Sequence, residues 1–423
     1  MAGELDLRVT LARPVVPALP TEQLIYALLE LRPAEGAALV ALPLNLCLVL
    51  DRSGSMQGRK IEALRSATAE LLDLLGPQDT LSVIIFNNRE RILVPAGPVT
   101  EDRKAGLLAE IRRIDADGGT KMAPAMEAGI LELRKRMPSG GGGQEGQVTR
   151  LVLLTDGITE REKKCLEQAD VAAKLDIPIV ALGIGRDWND KLMAQIGART
   201  GGVADYVQDA EEIGRHFQRT VQQMQAVALQ RASVHVHTAT GVLARTVFRV
   251  HPLIARLGGA GPTERDVTTP LGEIERGHGQ TLLVELIVPP RPASAYRIAQ
   301  VDVSYDLPGG TGSGQTSAEI LLTYAADPRA ASPPDPRVMN LVEKVTAFKL
   351  QTRALEDLEA GNVQGATDKL QSAVTRLLSG GDVDLAATVQ QEIDNLQKAR
   401  SMSPEGRKTI RFGSGRTVRL DRE

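Results

Sequence analysis

The chain has 423 residues, two cysteines and a formal net charge of −3, with acidic and basic side chains well mixed. That length suggests about three domains, and 42% hydrophobic residues supply enough apolar surface for sizeable cores. The near-neutral balance excludes a bulk positive field for nucleic acid or an anionic membrane, and no apolar run approaches the roughly 20 residues of a membrane span.

Residues 1–43 read as extended. The opening MAGELDLRVT has no basic region followed by an apolar stretch, so no signal peptide is expected. The segment Gln23–Leu31 (QLIYALLEL) is apolar enough for a strand or a short helix and is too short to form a domain, so it should pair with strands elsewhere. From Leu44 to about Gln225 strands and helices alternate. NLCLVL is a near-continuous apolar run, as in a strand buried on both faces. Ile61, Leu64, Leu71, Leu72 and Leu75 then recur at helical spacing until Gly76-Pro77 stops the helix. Strands follow over 80–86 and around 92–94, helices over 102–113 and 121–136, and a strand over 150–155. A helix over 160–175, a strand over 178–184, a helix over 189–199, a short strand near Tyr206 and a helix over 209–225 complete the block. Repeated alternation of this kind implies a Rossmann-like, doubly wound, mostly parallel sheet with helices on both faces.

Residues 226–331 carry alternating runs such as SVHVHT and TLLVELIV between Gly/Pro-rich turns, the pattern of an antiparallel β-sandwich. The N-terminal strands are expected to join it, which makes the α/β domain an insertion in, or a neighbour of, a β domain. A Pro-rich linker (SPPDP) opens the segment 332–400, where Val338, Leu341, Val342, Val345 and Phe348, then Leu370, Val374, Leu377 and Leu378, predict a small domain of two or three antiparallel helices. Residues 401–423 are basic and expected to be mobile. TIRF-GSG-RTVRL reads there as a hairpin, and Thr409 and Thr417, each flanked by basic residues, are candidate phosphorylation sites.

Three loops carry the chemistry. Asp51-Arg52-Ser53-Gly54-Ser55 follows the first central strand, Gly118-Gly119-Thr120 precedes a helix, and Thr155-Asp156-Gly157 follows a central strand. Adjacent strands of a parallel sheet end at one edge, so the three can converge. Asp51 and Asp156 offer negative charge, and Ser53, Ser55 and Thr120 offer neutral hydroxyl oxygens. A hard cation takes such ligands, Mg²⁺ at about 2.0–2.1 Å in an octahedron. The absence of His and Cys from the set disfavours Zn²⁺. Few direct carboxylates leave a cation electrophilic, with room for a carboxylate from outside. Each piece alone is also what a helix N-cap looks like, since Asp and Ser cap helices well. The whole set in order is harder to obtain by capping.

The D-x-S-x-S, distant Thr and distant T-D-G set resembles the metal-ion-dependent adhesion site of von Willebrand factor A-type domains, over roughly residues 44–225. The wider arrangement is similar to bacterial cytoplasmic proteins of this class and to inter-alpha-trypsin inhibitor heavy chains. The resemblance implies direct metal contacts from Ser53 and Ser55, contact from Thr120 that changes with conformational state, and water-bridged contact from Asp51 and Asp156. It implies Mg²⁺, with Mn²⁺ or Ca²⁺ as alternatives, and a protein partner that offers Asp or Glu, in an assembly linked to an AAA-type ATPase. No catalytic residue and no nucleic acid are expected. The alternatives are a Mg-dependent hydrolase, for which no nucleophile–base pair is visible, and a scaffold whose metal only stabilises loops.

Smaller signals have plainer readings. His235 and His237 share one strand face, most simply a solvated one. Cys47 and Cys165 lie in an apolar and a helical run, so inert thiols in a reducing, cytoplasmic setting are expected. The glycine-rich stretch 139–146 joins a helix to a strand and is not a phosphate-binding loop, which would run from strand to helix.

Overall fold

The computed structural model describes residues 4–34, 42–137, 146–259, 261, 266–310 and 312–415. All of the 139–146 stretch except Gly146 lies outside them, as does Thr417. The chain divides into two compact units, one of residues 39–227 with 308–311, the other of 1–38, 228–307 and 312–423.

Strands β1 (Leu5–Leu11), β2 (Val15–Pro17) and β3 (Gln23–Pro33) come first. The α/β unit then runs β4 (Leu44–Asp51), α1 (Arg59–Asp73), β5 (Thr80–Phe86), β6 (Glu90–Pro98), α2 (Glu101–Arg112), α3 (Met122–Arg134) and β7 (Val148–Thr155). It continues through α4 (Glu162–Lys174), β8 (Ile179–Ile184), α5 (Asp190–Arg199), β9 (Val203–Val207) and α6 (Ile213–Gln225). The sheet order is β6-β5-β4-β7-β8-β9, parallel throughout except for β6, which runs antiparallel to β5. Every residue of β4, β5, β7 and β8 is buried, because helices cover both faces. On one face Leu44, Leu46, Leu48 and Leu50 meet Ile61, Leu64 and Leu71 of α1 and Phe217, Val221 and Met224 of α6 in one core. On the other, α3 comes so close that a Cβ on Gly129 would lie 2.8 Å from Val49 Cγ2, so only glycine fits there. From β4 the chain winds outward through β5, then returns to place β7 on the other side of β4. The loops after β4 and β7 therefore flank a topological switch point, where open α/β sheets form their clefts.

The second unit begins with those N-terminal strands and resumes after the α/β unit with β10 (Val227–Thr238), β11 (Leu243–His251), β12 (Ala255–Gly258), β13 (Asp266–Glu275), β14 (Gln280–Val288), β15 (Ser294–Asp306) and β16 (Ser313–Ala325). Two five-stranded sheets result, β1-β3-β14-β11-β12 and β13-β10-β15-β16-β2. The QLIYALLEL segment is strand, paired on one side with β1 and on the other with β14. Its alternate residues Ile25, Ala27, Leu29 and Leu31 enter the core between the sheets, and Leu28 faces the opposite way. There α7 (Pro336–Glu359) packs Val338, Leu341, Val342 and Val345 against Leu28, Phe248, Val250 and Leu283. Asp335 caps α7 by accepting hydrogen bonds from the Arg337 and Val338 amides, with Pro336 in the first turn. Helices α8 (Val363–Ser379), α9 (Val383–Ala399) and α10 (Pro404–Gly413) share a further core with α7 through Leu355, Leu370, Val389 and Ile410.

The tail is where the sequence reading needs correction. Thr409-Ile410-Arg411-Phe412 is not a hairpin arm but part of α10, and Thr409 is half-buried on that helix, not on an extended mobile strand. Ser403 caps the helix by accepting from the Gly406 amide, and Pro404 sits in its first turn. Glu392 fixes the cap, accepting from the Ser403 amide at 2.8 Å and hydroxyl at 2.7 Å. The period-two alternation of Ile410 and Phe412 suggested a strand, but these interactions stabilise a helix start.

Candidate metal centre

Asp51 is the last residue of β4, and its fully buried side chain turns back into its own loop. Oδ1 accepts from the Ser53 amide at 2.8 Å and Oδ2 from the Thr155 hydroxyl at 2.5 Å. A buried carboxylate holds its proton more tightly. Burial pushes the Asp51 carboxyl up to about 6, opposed by the hydrogen bonds from Thr155 and Ser53 and aided by the nearby Asp156 charge.

The loop after Asp51 is short and tightly held. Gly54–Met56 make one 3-10 turn before α1, and the Arg52 amide donates to Phe86 O at 2.8 Å. The Ser53 and Ser55 hydroxyl oxygens lie 3.1 Å apart. Ser55 Oγ in turn donates to Asp156 Oδ1 at 2.6 Å, which joins the loops after β4 and β7 across 101 residues of sequence. The loop between α2 and α3 is zipped to the first loop by backbone bonds, Gly54 N to Gly118 O at 2.9 Å and Asp117 N to Arg52 O at 2.8 Å. Gly118 adopts a left-handed conformation with φ 74° that other residues rarely take. Thr120 follows at the same edge. A Cβ on Gly157 would lie 2.9 Å from Thr120 Oγ1, so the glycine of T-D-G leaves room for that hydroxyl.

All five residues named from sequence are thus brought to one sheet edge. Four are linked directly by hydrogen bonds or through Thr155, and Thr120 is held against Gly157. Their chemistry fits a hard cation. In an octahedron with metal–oxygen bonds of about 2.0–2.1 Å, adjacent ligand oxygens are about 2.9 Å apart. The Ser53–Ser55 spacing of 3.1 Å is close to such an edge. Asp51 is a buried carboxylate that a cation would stabilise in its charged form. Among the described residues no group of three or more His, Cys, Asp or Glu side chains is placed to hold a metal, so any cation here depends on the hydroxyls.

Three contributors were not among the candidate ligands read from sequence. Thr155 orients Asp51, and Asn87 accepts the Lys121 amide on its carbonyl oxygen at 2.7 Å while its side chain donates to Asp117 O at 3.1 Å. The third, Lys60, lies with Nζ 2.5 Å from Asp156 Oδ2. A signal for it existed, since Lys60 stands in the first turn of a helix, where the macrodipole disfavours a cation unless an anion faces it.

The other candidates take plainer roles. His237 lies between Asp266 Oδ2 at 3.2 Å and Asp302 Oδ2 at 3.4 Å, and His235 Nδ1 bonds with Thr268 Oγ1 at 2.9 Å. Cys165 is the fourth residue of α4, yet burial pushes its thiol up to about 11, and burial pushes the Cys47 thiol up to about 12. Both cysteines are free. Among the described residues no helix is long and apolar enough to cross a membrane.

The von Willebrand factor type A domain model matches residues 45–220, and the model of a Sll0103-like C-terminal alpha-helical domain matches residues 336–420. The Synechocystis protein named "Uncharacterized protein sll0103" is 30% identical over 386 residues, 89% of each chain. Human inter-alpha-trypsin inhibitor heavy chain H4 is 27% identical over 244 residues, which are 53% of this chain and 25% of that one. A solved von Willebrand factor type A protein from Catenulispora acidiphila superposes with a TM-score of 0.80 at 17% identity, over 99% of this chain and 98% of that one, a likeness of fold alone.

Proposed function

The chain belongs to the von Willebrand factor type A domain family, and from that premise we propose that it is a protein-interaction module whose A-type unit grips a partner's carboxylate through one divalent cation. Mg²⁺ is the first choice, with Mn²⁺ or Ca²⁺ as alternatives. Ser53, Ser55 and Thr120 would hold it by their hydroxyls, and Asp51 and Asp156 would supply charge. Bound there, the cation would act as a Lewis acid toward a carboxylate oxygen. The observation that carries this reading is the convergence of three loops on an all-oxygen set at the switch point of the sheet, with the Ser55 hydroxyl bonded to Asp156.

The protein's own residues do the positioning. Thr155 and the Ser53 amide fix both oxygens of Asp51, and the backbone zipper from Gly54 to Gly118 keeps the Thr120 loop beside the Ser53 loop. Interaction is favoured over catalysis on family membership, and the hydroxyl–carboxylate contacts here, Ser55 with Asp156 and Thr155 with Asp51, are read as positioning of the ligand oxygens. A cytoplasmic location belongs to the same proposal, supported by two free cysteines. An AAA-type ATPase as assembly partner is proposed on family resemblance only.

Calorimetry on the full chain tests the metal. We expect one Mg²⁺ or Mn²⁺ per chain, and loss of most of that binding in Asp51→Ala, with the fold retained because the ligands lie on loops. Equal affinity in the variant would remove the assignment. Capture of a protein partner in Mg²⁺, followed by its release with a chelator, tests the interaction.

A further inference from the structure

Lys60 is the second residue of α1, at the positive end of the helix macrodipole, where a cation is unfavourable. Arg59 precedes it, and the N-cap, Gly58, has no side chain to offset the charge. The Lys60 side chain turns back under the loops. Its Nζ lies 2.5 Å from Asp156 Oδ2 and 3.4 Å from Ser55 O. A Cβ on Gly185 would lie 3.7 Å from Nζ, and Gly185 has φ 68°, so the segment after β8 passes close to the lysine in a conformation suited to glycine. The Asp156 side chain is 0% exposed and that of Lys60 is 32% exposed. Asp156 therefore has two occupied oxygens. Oδ1 receives the Ser55 hydroxyl on the side of the candidate ligands, and Oδ2 is held by an ammonium on the other side.

We propose that Lys60 is a resident counter-charge that weakens the site's hold on a divalent cation and strengthens that cation's hold on an incoming carboxylate. The inference rests on the metal reading above and deepens it. Asp51 and Asp156 contribute two negative charges and a divalent cation two positive ones, which leaves a neutral site with no net demand for an anion. Lys60 adds one positive charge, and a single carboxylate from a partner then brings the sum to zero. The lysine thereby makes the loaded site selective for a monoanionic group.

The two effects have opposite signs, and that gives the test. Mn²⁺ alone is titrated into the full-length protein and its Lys60→Met variant by calorimetry. Acetate is then titrated into each Mn²⁺-loaded protein, followed by the water-proton relaxation that falls when a carboxylate displaces a Mn²⁺-bound water. Lys60→Met is expected to bind Mn²⁺ more tightly and acetate more weakly, each by on the order of tenfold, the scale of one partly solvated unit charge. Lys60→Arg keeps the charge and should stay within about threefold of wild type in both titrations. A lysine with only a structural role would disturb the site in the variant and weaken both, and that result overturns the proposal. Unchanged affinities in Lys60→Met overturn it too, while leaving the metal site standing. Failure of the wild type to bind Mn²⁺ removes the metal reading and this proposal together. Circular dichroism checks each fold, and Lys60→Gln, which retains a donor for Asp156, replaces Lys60→Met if that variant does not fold.

Discussion

Arg337, in the first turn of α7, grips Glu30 of β3 with both guanidinium arms, Nη2 to Oε1 at 2.6 Å and Nη1 to Oε2 at 3.2 Å, across 307 residues of sequence. The Glu30 side chain is 5% exposed, so its charge depends on this pairing and on Arg32 at 3.3 Å. Arg337→Met should destabilise the sandwich-and-helix unit by about 1–3 kcal/mol, less than for a fully buried pair because the arginine is half-exposed. The double variant with Glu30→Gln should recover part of that loss. Urea denaturation measures both, and a single variant as stable as wild type would show that the pair contributes only geometry.

Gly157→Ala tests the placement of Thr120. The added Cβ would lie 2.9 Å from Thr120 Oγ1, closer than such contacts normally come. The hydroxyl must move, and Mn²⁺ affinity should fall by roughly three- to tenfold, the effect expected when one neutral ligand oxygen is displaced. The urea midpoint should hardly change, since both residues sit on loops. Unaltered Mn²⁺ affinity would exclude the Thr120 hydroxyl from the site.

Thr120→Ala separates cation binding from partner binding. A residue that changes its contact when a partner arrives contributes differently to the two states, and only such a difference shifts an equilibrium. We expect capture of a carboxylate-bearing partner to weaken more than Mn²⁺ binding does. Proportional loss of both, measured on one preparation, would reduce Thr120 to an ordinary ligand.

Thiol chemistry gives a check that is independent of metal. The Cys47 thiol is pushed up to about 12 and the Cys165 thiol to about 11, both mainly by burial. Iodoacetamide attacks the thiolate, and at pH 8.5 fewer than about one in a hundred of either thiol would be ionised, against about half for an exposed cysteine. Intact-mass analysis should find native protein unlabelled over minutes and both cysteines labelled in urea. Rapid native labelling of one site would show that its strand or helix opens.

The α/β unit was legible because its signals are local and agree. Strand β4 is apolar at almost every position, as only a strand covered on both faces need be, and Gly76-Pro77 stops α1 chemically. The convergence of the five candidate residues was legible because their loops follow strands or precede helices of a parallel sheet. Other features depend on partners far away in sequence. Alone, QLIYALLEL is as good a helix as a strand, and pairing with β14 decides the matter. Ile410 and Phe412 alternate like strand residues, while the Ser403-Pro404 cap and Glu392 of α9 make them helical. Lys60 could be marked as misplaced, but its anion lies 96 residues on.

The pairing of β3 with β14 also governs how the protein is made. During synthesis β1 and β3 leave the ribosome long before β14, which begins at Gln280, about 250 residues after Pro33. At 5–20 residues per second the wait is roughly 12–50 s, ample for the α/β unit to form its local contacts first. Throughout it, β3 presents an apolar strand with one edge unsatisfied, a template for any other extended chain. The nascent protein is therefore most exposed to aggregation while its α/β unit is already complete, and a chaperone that covers the first 33 residues would protect it most.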